Sequence, residues 1–164
     1  MKFEPLSPKF HDRKSFDCGV KELNLYIQQF ANQDQVRSLT KVYVLSDGPT
    51  IIGYYSICAH SVSRENLPEN QKIGPYNDLP FLLLGRLAVD HNFQGKGYGD
   101  ALIFHAFKTT LNAAETVGIL GIVVDALNEN VVSYYEGFGF MRLKGTQNRF
   151  VISISTMKHL LETR

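Results

Sequence analysis

The apolar positions change period along the chain, and each change of period marks an element. Phe3-Glu4-Pro5-Leu6 reads as a short edge strand, with Pro5 and Pro8 limiting its pairing. Val20, Leu23, Ile27, Phe30 and Ala31 recur at helical spacing, with Gly19 or Asp17 near the cap and Glu22 in the first turn. A less regular polar segment covers 32–40. Residues 41–46 and 50–59 then read as strands around an Asp47-Gly48 turn, which predicts a hairpin. The stretch 63–80 holds Pro68, Pro75 and Pro80 with Gly74 and Asn77, and reads as a long loop or a broken helix.

An apolar run over 81–89 predicts a buried strand. A polar turn and the glycines 95, 97 and 99 lead into a helix from Tyr98 to about Val117, ended by Gly118. Residues 121–126 are the next strand, and strand, crossover helix and strand make a parallel-type unit. Asn128-Glu129-Asn130 opens a short helix through Tyr134-Tyr135-Glu136, closed by Gly137 or Gly139. Residues 140–143 and 149–154 pair as a final antiparallel couple. Ser155 or Thr156 caps a last short helix over 158–162. The class is α/β (α+β), and 164 residues imply a single domain over 1–164.

Composition narrows the picture. Apolar residues at 44% and charged residues at 20% exclude a disordered chain and a membrane protein. No apolar run approaches the roughly 20 residues that span a bilayer. The start Met1-Lys2-Phe3-Glu4-Pro5 lacks a signal-peptide core, so the expected location is the cytoplasm. Cys18 and Cys58 form no CxxC pair and have no histidine at ligand spacing, which predicts two reduced thiols and no metal. A net charge of +1 gives no general nucleic-acid signal. The charge is uneven, however. Residues 1–138 carry 12 basic against 15 acidic side chains, whereas Arg142, Lys144, Arg149, Lys158 and Arg164 face only Glu162 in the remainder.

The candidate chemistry begins where the strand 81–89 meets the glycines. Strand, glycine loop and helix present unpaired backbone N–H groups to a phosphate. A dinucleotide fingerprint G-x-G-x-x-G/A fails, because Asp100 and Leu102 stand at the last position in its two registers. A Walker A loop fails because Gly97 follows Lys96 and no glycine stands at 90. The pattern that fits is Q-x-x-G-x-G, with the residues Gln94-Gly95-Lys96-Gly97-Tyr98-Gly99. It resembles the acetyl-CoA signature of the GCN5-related N-acetyltransferases (GNAT). The resemblance implies a mixed central sheet with a splayed central strand pair flanked by helices. It assigns Gly95, Lys96, Gly97, Tyr98 and Gly99 to the pyrophosphate, with Gln94 in the same signature, and Leu87, Ala88 and Val89 to pantetheine.

Asn128 to Phe140 matches the family's second block, N-x-x-(a)-x-x-(F/Y)-Y-E-x-x-G-F, which covers the far side of the cofactor. The match makes Asn128 and Tyr135 cofactor contacts and Tyr135 the leading catalytic acid. Acyl transfer expels a thiolate of reference pKa about 8.5, which a phenol at about 10 can protonate. Tyr134 is read as packing, and His60, His91 and His105 as structural or surface groups.

A narrower resemblance covers nearly the whole chain. Phe16-Asp17-Cys18-Gly19, Gly53-Tyr54-Tyr55, Leu84-Gly85-Arg86-Leu87-Ala88-Val89-Asp90 and Tyr134-Tyr135-Glu136-Gly137-Phe138-Gly139-Phe140 resemble the acetyltransferase toxins of type II toxin–antitoxin systems. That likeness implies acetylation of the α-amino group of aminoacyl-tRNA, arrest of translation, a homodimer and a ribbon-helix-helix antitoxin. An α-amino group has a reference pKa of about 7.7–8.0, so a useful fraction is neutral without a strong base. Arg86, Arg142, Lys144 and Arg149 are the candidate tRNA contacts. Two other readings keep the same cofactor residues: a transferase for a small amine or protein N-terminus, and a non-catalytic CoA-binding regulator.

Overall fold

The structure is a computed structural model and describes residues 1–163. Arg164, the last of the C-terminal basic residues, lies outside the described residues. In chain order the elements begin with β1 (Lys2–Pro5), α1 (Lys21–Leu25), a π-helical turn (Tyr26–Phe30) and α2 (Ala31–Val36). Then come β2 (Lys41–Asp47), β3 (Thr50–Ser63), β4 (Asp78–Val89), α3 (Tyr98–Ala114) and β5 (Gly121–Asp125). The chain closes with α4 (Glu129–Gly137), β6 (Met141–Arg142), β7 (Arg149–Ser153) and α5 (Ile154–Glu162). The strands form an open mixed sheet in the order β1-β2-β3-β4-β5-β7-β6. No helix of the described residues is long and apolar enough to cross a membrane.

The chain packs as two compact units, one of Met1–Cys58 with Gly85–Ala106, the other of Ala59–Leu84 with Phe107 onward. In the first, β1, β2 and β3 pair antiparallel, with Phe3 opposite Leu45 and Tyr43 opposite Tyr55. Phe16, Ile27, Val42, Val44, Tyr54 and Ala88 share its core. The polar segment read as irregular is helical as far as Val36. Its polar side chains find partners that periodicity does not register. Tyr26 Oη donates to Asp34, and Gln35 both donates to Leu6 O and accepts from the Val42 N–H. Neither Asp17 nor Gly19 caps α1. Val20 holds that position, and Asp17 Oδ1 accepts instead from the Gly19 N–H and from Asn24.

In the second unit β4 and β5 run parallel, Leu82 opposite Ile122 through Leu84 opposite Val124. That ladder stops one residue before β5 ends at Asp125, while β4 continues to Val89. β7 lies antiparallel to both β5 and β6. Val62, Leu67, Phe81, Val123, Leu143 and Val151 form its core. The proline-rich stretch is a pair of 3-10 turns, Arg64–Asn66 and Glu69–Gln71. β4 starts earlier than predicted, at Asp78, and Pro80 uses its carbonyl to accept from the Leu120 N–H. The last helix also starts earlier, at Ile154. Its cap is Ser153, whose Oγ accepts from the Thr156 N–H, so the cap is neither Ser155 nor Thr156.

Candidate active site

β4 carries the first group of candidates. Alternation puts Ala88 in the core and leaves Leu87 and Val89 half-buried on the other face. Gly53 on β3 explains how the strand sits so close. A Cβ there would lie 2.9 Å from Ala88 O and 2.8 Å from Leu102 Cδ1. Beyond Val89 the chain makes a 3-10 turn over His91–Phe93, capped by Asp90, whose Oδ1 accepts from the Asn92 N–H. Gly95 and Gly97 follow with φ of 77° and 86°, a left-handed conformation that glycine adopts without strain. Nothing lies within 4 Å of a Cβ at either position, so conformation, not crowding, selects glycine there.

Helix α3 starts immediately, at Tyr98. The first-turn N–H groups of a helix have no intrahelical acceptor and carry the positive end of its dipole. The 95–99 segment thus has the backbone arrangement that favours a nearby negative charge. The Gln94 side chain bonds neighbouring backbone groups. Its Nε2 donates to Cys18 O and Val89 O, at 3.0 and 2.8 Å, and so holds the loop from behind. Lys96 Nζ lies 5.8 Å from the centre of the Phe93 ring.

Helix α4 carries the second group of candidates. Asn128, a cofactor contact in the family resemblance, is its N-cap, with Oδ1 accepting from the Val131 N–H at 3.1 Å. Tyr135 is 7% exposed and packs at 5.2 Å from the Phe140 ring. Its hydroxyl has no hydrogen-bond partner among the described residues. Burial, with a smaller contribution from the charge of Asp125, pushes the phenol up to about 12. Tyr134 stands edge-on to Phe138 at 5.1 Å, the packing role the sequence gave it.

The candidate basic residues differ sharply in their surroundings. Arg149 makes a bidentate pair with Asp125 (2.8 and 3.0 Å) and sits 3.1 Å from His60 Nε2. Burial first, and the Arg149 charge second, lower the His60 pKa. Lys144 donates to Glu69 at 2.8 Å. Arg142 lies over the Phe150 ring at 4.7 Å, and Arg86 over the Tyr26 ring at 3.6 Å. Neither of these two has a carboxylate partner among the described residues. Charge counting along the sequence missed both ion pairs, because Glu69 and Asp125 lie outside the C-terminal segment. Among the described residues no cluster of three His, Cys, Asp or Glu side chains is placed to hold a metal.

The three histidines have local partners. His105 Nδ1 is 2.8 Å from Tyr55 Oη with its ring stacked on Phe3, and His91 Nδ1 is 2.8 Å from Asp17 O. Both cysteines are free thiols, and burial raises the Cys18 pKa.

Comparison with known proteins bears directly on this geometry. Residues 38–142 match the acetyltransferase (GNAT) domain model. The chain is 30% identical to a probable toxin TacT of Sinorhizobium fredii, across 96% of this chain and 93% of that protein. It is also 30% identical to a tRNA-acetylating toxin of Mycobacterium tuberculosis, across 79% of this chain and 78% of that one. Among solved structures, AtaT complexed with acetyl-methionyl-tRNAfMet superposes with a TM-score of 0.90 at 32% identity, covering 98% of both chains. AtaTR bound with AcCoA gives 0.85 at 32% identity, covering 98% of this chain and 97% of that one. A tyrosine-to-phenylalanine mutant of AtaT, bound to the C-terminus of the antitoxin AtaR, gives 0.85 at 30% identity over 99% and 98%. By its family model, its sequence and its fold, this chain belongs to the GNAT acetyltransferase family, and along nearly its whole length it is similar to the toxins of that family.

Proposed function

We propose that the protein moves an acetyl group from acetyl-CoA to the α-amino group of aminoacyl-tRNA and so blocks translation. The observation that carries the transferase reading is the 95–99 segment, two left-handed glycines at the start of α3, just after the end of β4. The acceptor reading rests on the full-length likeness to a toxin solved with an acetylated aminoacyl-tRNA.

Acetyl-CoA is the acetyl donor, and its thioester supplies the leaving thiolate. In this reading the N–H groups of 95–99 bind its pyrophosphate, Leu87, Ala88 and Val89 line its pantetheine, and Tyr135 offers a proton at its phenol oxygen. The acceptor amine needs no dedicated base, because its reference pKa of about 7.7–8.0 leaves part of it neutral at working pH. Arg86 and Arg142 are the stronger candidates for RNA phosphates, since each is held on an aromatic face with its charge uncompensated. Lys144 and Arg149 would have to exchange Glu69 and Asp125 for phosphate. We further place the protein in the cytoplasm, as a single domain over 1–164 that forms a homodimer neutralised by a ribbon-helix-helix antitoxin.

The test is labelled acetyl-CoA offered with charged tRNA, uncharged tRNA, a polyamine and a short peptide. Label on charged tRNA alone is the expected result. Label on the polyamine or the peptide, with none on RNA, overturns the acceptor and leaves the transferase reading standing.

The close approach at Gly53 gives a second check. Gly53→Ala drives a methyl group into the Ala88 carbonyl, on the strand read as the pantetheine platform. Overpacking of this kind costs about 2 kcal/mol, which at this chain length lowers Tm by about 4–8 °C. KM for acetyl-CoA should rise at temperatures where the variant is still folded. An unchanged KM would separate Ala88 from the donor site.

A further inference from the structure

Two of the sequence blocks that resemble the toxins, Phe16 to Gly19 and Leu84 to Asp90, turn out to be one physical unit. Four hydrogen bonds tie the backbone of Asp17 and Cys18 to the segment 90–94. Asp90 Oδ2 accepts from the Asp17 N–H at 3.0 Å. The His91 backbone N–H donates to Asp17 O at 2.8 Å, and the His91 ring reaches the same oxygen through Nδ1. Gln94 Nε2 donates to Cys18 O.

Asp90 is 5% exposed, and its two oxygens divide the work. One holds the Asp17 turn, and the other caps the turn that leads into the glycine loop. Gln94 likewise bridges two segments, Cys18 on one side and Val89 on the other. The turn itself is rigid from within. Cys18 N–H donates to Asn24 Oδ1, Asp17 Oδ1 accepts from Gly19 and Asn24, and Phe16 and Cys18 are anchored in the core.

We propose that Asp90 and Gln94 are positioning residues that staple the Asp17-Cys18-Gly19 turn to the 95–99 loop, so that the order of the loop depends on the turn. The proposal rests on the reading of that loop as the acetyl-CoA pyrophosphate site. Neither side chain has to touch the ligand. Each sets the conformation of the backbone that does, and a preorganised loop loses less entropy on binding.

The variants follow from the bond directions. Asp90→Asn keeps the shape but turns one acceptor into a donor, against either the Asp17 or the Asn92 N–H. Gln94→Ala removes the donor at an exposed position, so it folds whatever happens to Asp90→Asn. KM for acetyl-CoA is expected to rise about tenfold in Asp90→Asn and about threefold in Gln94→Ala. In both, kcat at saturating acetyl-CoA should stay within about twofold of the parent, a split that general loss of folded protein would not give.

Cys18 provides an internal reporter. In a Cys58→Ser background, acetyl-CoA should slow iodoacetamide labelling of Cys18, because a ligand that orders the loop also protects the stapled turn. In Gln94→Ala that protection should disappear. A parental KM in Gln94→Ala, or full protection of Cys18 in that variant, overturns the staple. If the parent itself does not bind acetyl-CoA by calorimetry, the loop reading fails instead, and the two failures are distinct.

Discussion

Tyr135→Phe is expected to slow acetyl transfer about 10²- to 10⁴-fold, the range over which a positioned general acid acts, while acetyl-CoA affinity and Tm stay close to the parent. The substitution removes one oxygen. The ring keeps its packing against Phe140, and no hydrogen bond among the described residues is lost at the hydroxyl. What disappears is the donor. At about 12, the phenol holds its proton at every pH the protein meets. The same value refines the mechanism the sequence implied. Full transfer from such a phenol to a thiolate of reference pKa about 8.5 is uphill by about 5 kcal/mol. In the proposed reaction Tyr135 would therefore serve the leaving group chiefly as a hydrogen-bond donor, giving up its proton only as it recovered the one released by the acylated nitrogen. The pH profile checks this. Activity should rise through about 8 as the acceptor amine becomes neutral, with no fall before pH 10. An alkaline limb near 10 that vanishes in Tyr135→Phe would mean that the phenol titrates at its ordinary value. The sign for stability is consistent: a pKa raised by folding stabilises the fold below the unfolded value of about 10, and that contribution fades as pH climbs toward 12. A variant with parental kcat would remove Tyr135 from the chemistry.

The parts of the fold that were legible in the sequence are those whose signal is local. The hairpin around Gly48, the glycine loop ahead of α3 and the Asn128 cap of α4 each follow from residues next to one another. What was not legible depends on partners far away in the chain. α2 continues over polar residues because Tyr26, Leu6 and Val42 receive them. His11, 4% exposed, is satisfied by Glu4 Oε1 at 2.7 Å and by the Ser7 N–H, and Ser46 donates to the same Glu4 oxygen. No spacing rule brings Ser46 to Glu4. The site divides in the same way. The pattern that named the candidates also foretells the turn at Gly95 and Gly97, whereas the backbone groups that the Gln94 and Asn128 side chains bond are not visible in it. Arg149 and Lys144 looked like free charges only because the sequence does not show Asp125 and Glu69 beside them.

Gly121→Ala is expected to be strongly destabilising, more so than Gly53→Ala. Gly121 opens β5 and lies opposite Ser153 of β7. A Cβ at that position would fall inside contact distance of Ile152 O, with Ile152 C at 3.0 Å and Ser153 Cα at 3.2 Å. All three neighbours are backbone, so no rotamer change relieves the clash and the two strands must separate. At Gly53, by contrast, one of the two closest atoms is the flexible end of Leu102. The cost at Gly121 is about 3 kcal/mol or more, at or beyond the upper end for overpacking, and Tm should fall by about 6–12 °C. Gly137→Ala is the matched control. Nothing lies within 4 Å of its Cβ, and it sits in the last position of α4 with φ outside the left-handed region. Alanine there removes backbone freedom from the unfolded chain and should leave Tm unchanged or slightly raised. Thermal melts of the two variants decide the matter, and a Gly121→Ala melt within 2 °C of the parent would show that β5 and β7 can part at no cost. The damage should also reach function along a defined route. β5 ends at Asp125, the partner of Arg149 and the second contributor to the raised Tyr135 pKa. Residual activity of Gly121→Ala, measured well below its melting temperature, should therefore fall by more than the unfolded fraction accounts for.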